Sequence, residues 1–492
     1  MGSQKKFRVI VVGGGVGGLA AAHAFEKAGI DHIVLEKGEI APARGASIGI
    51  YPHGARILQQ FGTLQAVDDE TYPIERAKNF LPDGTLIANS ELFRFLRQYH
   101  GYPIPVLERR RFLEIMYDGL SDKSLIKPHS KVVDIVDSED SVKVVLADGT
   151  VEEGDLVLGV DGVHSLVRSL MWRNANAAIP GFITANEKKT LHADYSLLIG
   201  FSETGPHMSP SDLYCTHYDG KSFLTIGGKK HTFWFVFFKN DRVHWPALPR
   251  WTQADAERRA AECMDCPISE TQVFGELWKT AIRTELVNVE EGLFEHMFFG
   301  RVVLAGDAVH KMTPNIGLGG NCAMESVVVL TNLLHKAIKE HPQGKPDKAA
   351  IQNVLHEYQK DRQVRMRQFI DFSSLATKIQ AWETTWYKVL SRVMPFLPDD
   401  TFAKQASILF KAAPKLDFIP VPGNLKGSMK WDDDVLEAKY RESFPRPSVS
   451  DWARSMLRYT FKPALSLCVL WIFLMVRSSK GSDAVASNWV AR

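Results

Sequence analysis

Cysteine is scarce in this chain, and neither sign of charge dominates. Five cysteines in 492 residues is a low, odd number, which argues against the disulfide framework of a small secreted domain. Cys263 and Cys266 form a CxxC, but no second Cys or His pair stands at zinc spacing and no thioredoxin-like context surrounds them. They read as ordinary thiols on a helix, and no metal site is expected. Basic and acidic residues number 59 and 57. The resulting formal charge of +2 is too small to suggest a nucleic-acid partner. Internal repeats and low-complexity tracts are missing, and so is room for a cleavable signal, because a strand-like apolar run begins at Phe7. The catalytic part is therefore expected to face the cytosol.

What is present points to small-molecule chemistry. The length exceeds one ordinary core, so two packed lobes plus a tail are expected, with space for a dinucleotide-sized ligand between them. Residues 7–12, FRVIVV, make a strand; glycines then open a helix that ends at Gly29, and residues 32–36 make a second strand. This has the dimensions of a dinucleotide-binding βαβ unit. Short alternating strands follow between 131 and 158, around the Asp148-Gly149 turn. Residues 197–201, 222–226 and 232–238 alternate apolar and polar residues, which predicts an antiparallel sheet in a substrate-covering lobe. Another buried-strand run at 301–305 returns to the first lobe, and a long helix is expected from 349 to about 382.

Three motifs carry the chemistry. The first is Gly13-x-Gly15-x-x-Gly18. Gly13 permits a tight turn, Gly15 lets the backbone approach a pyrophosphate, and Gly18 lets helix and strand pack closely. The helix N-terminus favours the phosphate charge. Glu36, at the end of the second strand, can accept hydrogen bonds from ribose hydroxyls and favours an unphosphorylated adenosine ribose, as in NAD or FAD. The second motif is Gly159-Val-Asp161-Gly162-Val-His164-Ser165-Leu-Val-Arg168. The third is Arg301-Val-Val-Leu-Ala-Gly306-Asp307-Ala308-Val-His310, followed by Pro314 and Gly317-Leu-Gly319-Gly320-Asn321. A carboxylate at the end of a buried strand, just ahead of a glycine-rich helix start, suits polyol hydroxyls.

With these motifs in this order, the chain from about 7 to 380 resembles the class A flavoprotein monooxygenases of the p-hydroxybenzoate hydroxylase fold. The resemblance implies an α/β architecture: a Rossmann-like FAD-binding domain with an antiparallel-sheet substrate domain. It implies FAD and NAD(P)H as cofactors. It places Asp307 on the ribityl hydroxyls and associates Asp161 with both nucleotides. Gly320 and Asn321 bring amides toward the flavin pyrimidine, and Arg109 reaches the FAD, with Arg110 one register away as the alternative. Arg44 and Gly49 match the stretch that runs over the flavin. Adding LERRRFLEIMYD, the stretch AGDAVHKMTPNIGLGGNCAMES and residues 414–422, the chain looks like the fungal FAD-dependent epoxidases of meroterpenoid and indole-diterpene pathways. That likeness implies epoxidation of a prenyl double bond on a lipophilic substrate, ahead of a terpene cyclase. Tyr218 is the expected polar catalytic group, mainly on resemblance, with Tyr214 as competitor. Phe223, Phe233, Trp234, Phe235 and Phe237 are candidates to line the substrate lobe, about half of them inward by strand alternation.

The expected division is 1–170 and 286–385 for the FAD-binding domain, 171–285 for the substrate lobe, 386–458 for a helical region, and 459–478 for a membrane helix or anchor. Residues 463–476, PALSLCVLWIFLMV, carry no charge and are bracketed by Arg458, Lys462, Arg477 and Lys480. A span needs about 20 apolar residues, reached here only if Lys462 snorkels. Membrane attachment, at the endoplasmic reticulum, is the expectation; a buried core helix is the alternative. Rival functions are a phenol hydroxylase with the same cofactor, a flavin-dependent reductase, and a nucleotide-binding protein without activity.

Overall fold

The apolar run after Phe7 does not alternate, which suits a strand covered on both faces. In the computed structural model, which describes residues 6–43, 45–205, 208–341, 344–423 and 425–434, Arg8–Val12 is an internal strand of a six-stranded sheet. Val9, Ile10 and Val11 are fully buried there. The strand runs parallel to Asp31–Leu35 on one side and to Leu156–Gly159 on the other. Val302–Leu304 and then Phe298–Phe299 extend the sheet beyond Leu156–Gly159, and Ile126–Lys127 closes the opposite edge. The three chemistry-bearing motifs thus leave the carboxyl ends of adjacent parallel strands, the position where open α/β sheets bind ligands.

The second sheet has eight strands, in the order 310–311, 281–293, 192–203, 231–244, 221–227, 212–218, 76–80 and 86–90. All neighbours are antiparallel except 212–218 with 76–80. The strand pair Arg76–Phe80 and Leu86–Ser90, assigned by sequence to the first lobe, therefore belongs to the substrate sheet. The strand Ala281–Leu293, next to the edge of this sheet, also runs past the expected boundary at 285. Residues 76–90 are short, partly buried strands whose neighbour lies some 130 positions away, a pairing no local pattern reveals.

Two long helices, Gly319–Glu340 and Lys348–Gln380, pack on each other and join the sheets. Their contact is built around a buried charge. Arg365 grips the Glu325 carboxylate with two hydrogen bonds of 2.6 Å, and Arg362 adds a third of 3.0 Å. Burial would push the Glu325 carboxyl up, but Arg365 and then Arg362 more than reverse this and hold it at about 2. His53, 3.9 Å away, is driven by burial to about 3 and stays neutral.

These elements belong to the unit that ends at Asp433. The C-terminal hydrophobic helix expected at 459–478 lies outside the described residues. Among the described residues no helix is long and apolar enough to cross a membrane.

Removing the shared carboxylate would leave the buried Arg365 without its carboxylate partner and Arg362 with only Asp361, at 3.4 Å, so Glu325→Ala should destabilise the fold by about 3–5 kcal/mol, measured as a shift in the urea midpoint. Because the folded carboxyl sits below its ordinary 4.5, at about 2, the difference from the parent should be constant above pH ~5 and shrink as pH falls toward 2. A difference that instead grows on acidification contradicts this assignment.

Candidate functional site

A cavity of about 720 Å³ lies between the carboxyl ends of the parallel strands and the inner face of the eight-stranded sheet. That volume is in the range of cofactor and substrate sites. Its wall includes Gly13, Gly15, Glu36, Gly49, Arg109, Asp161, Asp307 and Gly320, so three separated motifs meet at one place.

The glycine turn is built for close approach. Gly13 has φ +112°, and a methyl group on Gly18 would stand 1.8 Å from the Gly13 carbonyl oxygen. Neither position accepts a side chain, and the helix Val16–Ala28 therefore starts hard against the strand. Its first intrahelical bond runs from the Leu19 amide to the Gly15 carbonyl at 2.9 Å, so the amides of the helix's first turn have no intrahelical acceptor and suit an anion. The Glu36 carboxylate accepts hydrogen bonds from the Gly14 and Gly38 amides at 2.7 and 2.9 Å, fixing it at the cavity edge.

Arg109 opens the helix Arg109–Asp118 and faces this turn; its guanidinium is the nearest group, at 3.8 Å, to where a side chain on Gly15 would begin. Among the described residues it forms no ion pair. Burial lowers its basicity, while Asp307 and Glu36 act at longer range to raise it. Its neighbours point elsewhere: Arg110 pairs with Glu114 at 3.0 Å on the exposed side, and Arg111 with Glu70 at 2.8 Å.

The two Asp-containing motifs do different work. Asp161 accepts hydrogen bonds from Ser165 Oγ at 2.5 Å and from the amides of Leu166 and Val167 at 2.7 and 3.1 Å. It lines the cavity while capping the helix Leu166–Ala178. Burial raises its carboxyl, against the pull of those hydrogen bonds. Arg168 turns away and ties the motifs together, donating to the carbonyls of Ala308 and Val163 at 2.7 and 2.9 Å. Asp307 accepts from Lys311 Nζ at 2.5 Å and keeps its other oxygen on the cavity side, near Gly319.

Gly320 sits where the helix start meets the strand Ser47–Gly49; a methyl there would come within 2.8 Å of Ile48 Cδ1. The Asn321 side chain does not reach the cavity. It accepts from the Tyr51 amide at 3.0 Å and donates to the Gly49 carbonyl at 2.9 Å, pinning the 49–51 backbone over the helix N-terminus. Arg44 lies outside the described residues.

The far wall is apolar. Leu197, Ile199, Leu213, Leu224, Phe235 and Val287 project from the sheet into the cavity. Tyr218, expected to be catalytic, is not among them. Along Asp212–Tyr218, Leu213 and Cys215 face the cavity side, so Tyr214 and Tyr218 face away. The Tyr218 hydroxyl donates to the carbonyls of Pro82 and Pro267 at 3.2 and 3.0 Å, and Tyr214 stacks on Phe80. Phe223 and Trp234 likewise lie on the outer face against Phe274, whereas Phe235 lines the cavity. Two participants escaped sequence reasoning. Lys311 stands four residues after Asp307, a spacing that could have shown it. Glu290 pairs with the exposed His164 at 2.8 Å on the cavity wall, and nothing in its own strand marks it.

The polar and charged groups fit an extended ligand with an anionic centre and hydroxyl-bearing arms. Residues 6–373 match the FAD binding domain family. The FAD-dependent monooxygenase DEP2 of Alternaria brassicicola is 38% identical over 445 residues, covering 89% of this chain and 84% of the relative. The FAD-dependent monooxygenase penE of Penicillium thymicola is 35% identical over 476 residues, covering 95% and 98%. Among solved structures, HpxO of Klebsiella pneumoniae complexed with FAD and uric acid superposes with a TM-score of 0.66 at 22% identity, covering 83% of this chain and 97% of that one.

Arg109→Ala should weaken FAD binding about tenfold to a hundredfold, the range for losing a hydrogen-bonding charge worth about 1.5–3 kcal/mol. Arg110→Ala should leave it unchanged. Flavin fluorescence during reconstitution of the apoprotein measures both, and equal losses would place the wrong arginine in the cavity. Tyr218→Phe, on the outer face, should retain FAD binding and substrate turnover within about twofold; a large loss of turnover with folding intact would return Tyr218 to the site.

Proposed function

The chain belongs to the FAD binding domain family and is an FAD-dependent monooxygenase; from that premise we propose that it takes electrons from NADH or NADPH and epoxidises a prenyl double bond, farnesyl in type, of a meroterpenoid or related secondary-metabolite intermediate. The observation that carries this reading is the apolar inner face of the sheet, where Leu197, Ile199, Leu224, Phe235 and Val287 border the same cavity as the dinucleotide-binding groups. An isoprenoid chain is matched by such a wall, and a charged or strongly polar substrate is not.

When bound, FAD supplies the redox chemistry and the activation of dioxygen. The chain supplies binding, orientation and a dry environment. Arg109 and the amides at the start of Val16–Ala28 would hold the pyrophosphate, Glu36 and Asp307 the hydroxyls of the adenosine and ribityl arms. The start of Gly319–Glu340 directs its partial positive charge toward the cavity through Gly319 and Gly320, favouring negative charge there. Asn321 keeps the 49–51 backbone in place at that helix start. The aliphatic wall excludes water from the reacting end.

Lipophilic substrates of this kind partition into membranes. The charge-free run 463–476, with basic residues on both sides, supports attachment to a membrane, which this reading places at the endoplasmic reticulum. A terpene cyclase acting on the epoxide would follow in sequence. A second reading, hydroxylation of a phenol, is favoured by the His164–Glu290 pair on the cavity wall, which could take up a phenolic proton.

The two readings separate under isotopically labelled dioxygen. Full-length protein with FAD and NADPH is offered a farnesylated phenol and the matching unprenylated phenol. One labelled oxygen at an alkene of the first, and none in the second, is expected. Label in the aromatic ring of either compound would replace the epoxidase reading by the hydroxylase.

A further inference from the structure

We propose that Cys266 and Cys263 form a peroxide-reactive thiol pair on the outer face of the substrate sheet, with Cys266 the attacking sulfur and Cys263 the thiol that closes a disulfide with it. Their sequence context suggested ordinary thiols on a helix. They lie instead just past the end of the helix Gln253–Ala261, in a turn where the Cys266 amide donates to the Cys263 carbonyl at 3.0 Å. Both are free. The turn packs both side chains into the same cluster on the outer face of the sheet. Cys263 is buried, and Cys266 keeps part of its surface in solvent.

The neighbour that gives the pair its chemistry comes from another strand. Lys221 Nζ lies 3.5 Å from Cys266 Sγ, and among the described residues no carboxylate pairs with Lys221. Among the described residues its only other close partner is the Tyr218 ring, 5.0 Å from the ammonium. The carboxylates that face the cluster, Glu262 toward Cys263 and Asp83 toward Tyr218, are exposed. The neighbouring Cys263 thiol, and then the Lys221 charge, outweigh burial and make Cys266 the more acidic thiol. Cys263 moves the other way, because Cys266 beside it and its own burial both hold its proton. One sulfur is thus accessible and biased toward the thiolate, and the second is protected beside it, the arrangement of an attacking and a resolving cysteine.

Hydrogen peroxide is the oxidant, and a monooxygenase that turns over without oxygenating its substrate releases it. The Cys266 thiolate attacks one peroxide oxygen: the S–O bond forms, the O–O bond breaks, and hydroxide leaves, taking up a proton to become water. The Cys263 thiol then attacks the sulfenic sulfur; the S–S bond forms and the S–O bond breaks, releasing a second water. Two thiols and one peroxide give one disulfide and two waters, the two electrons passing from sulfur to peroxide.

The test uses the full chain with FAD bound. Alkylation by iodoacetamide, followed by peptide mass spectrometry across pH, should show Cys266 reacting with a midpoint below that of a free thiol, about 8.5. Lys221→Gln should slow its alkylation near neutral pH about fivefold, with the flavin spectrum unchanged. Dilute peroxide should remove two hydrogens from the peptide holding both cysteines. In Cys263→Ser that loss should vanish, leaving a dimedone-trappable sulfenic acid on Cys266. An ordinary or higher midpoint for Cys266 in the parent protein, or peroxide that leaves the pair reduced while oxidising methionines, overturns the proposal.

Discussion

Arg109 carries a positive charge into the cavity wall where no carboxylate of the described residues meets it at bonding distance. A partly buried, unpaired guanidinium is costly, and Asp307 and Glu36 relieve it only at longer range, while the starts of Val16–Ala28 and Gly319–Glu340 border the same cavity and add partial positive charge of their own. Such an arrangement is stable when an anion sits at its centre. The acidic groups stand apart from that centre, Glu36 fixed by two amides and Asp307 by Lys311. Positive middle and acidic flanks are the electrostatic imprint of a pyrophosphate joined to two hydroxyl-bearing arms, the charge pattern that suits FAD.

The rest of the scaffold keeps that imprint in register. Glu325 joins the helix that begins at Gly319 to the long helix Lys348–Gln380 through Arg362 and Arg365. Asn321, four residues earlier on the same helix, pins the 49–51 backbone. One helix therefore presents its N-terminus to the cavity and is anchored a turn later by a buried ionic cluster. The eight-stranded sheet separates two environments. Alternation along Lys221–Gly227 sends Leu224 and Ile226 to the cavity and Phe223 to the outer layer, so the sheet that gives the cavity its apolar wall also backs the two cysteines.

Much of the dinucleotide end was legible in the residues. Gly13, Gly15, Gly18 and Glu36 lie within one strand-turn-helix-strand unit, and the Asp161 and Asp307 motifs each follow a buried strand directly. In all three, function depends on a turn a few residues long, and a short stretch of chain carries enough information to specify a turn. The long helix expected from 349 to about 382 is found at Lys348–Gln380 for the same reason. The substrate end was poorly legible. Its strands could be recognised, but which face of each strand looks inward depends on pairing with strands far away in the chain, and a shift of one residue reverses it. Tyr218 is the instance: a plausible phenol on the correct sheet, turned to the wrong side.

Local pattern was sufficient for the strand, turn and helix units and for the motifs at their ends, because each is specified within some thirty residues; the cofactor followed from the resemblance that the three motifs carry together. Choosing Arg109 over Arg110, pairing Glu290 with His164, adding residues 76–90 to the substrate sheet and setting Lys221 beside Cys266 all required the folded chain. Each joins groups whose proximity or facing arises from packing between distant segments, and no short-range periodicity encodes a distance across the core.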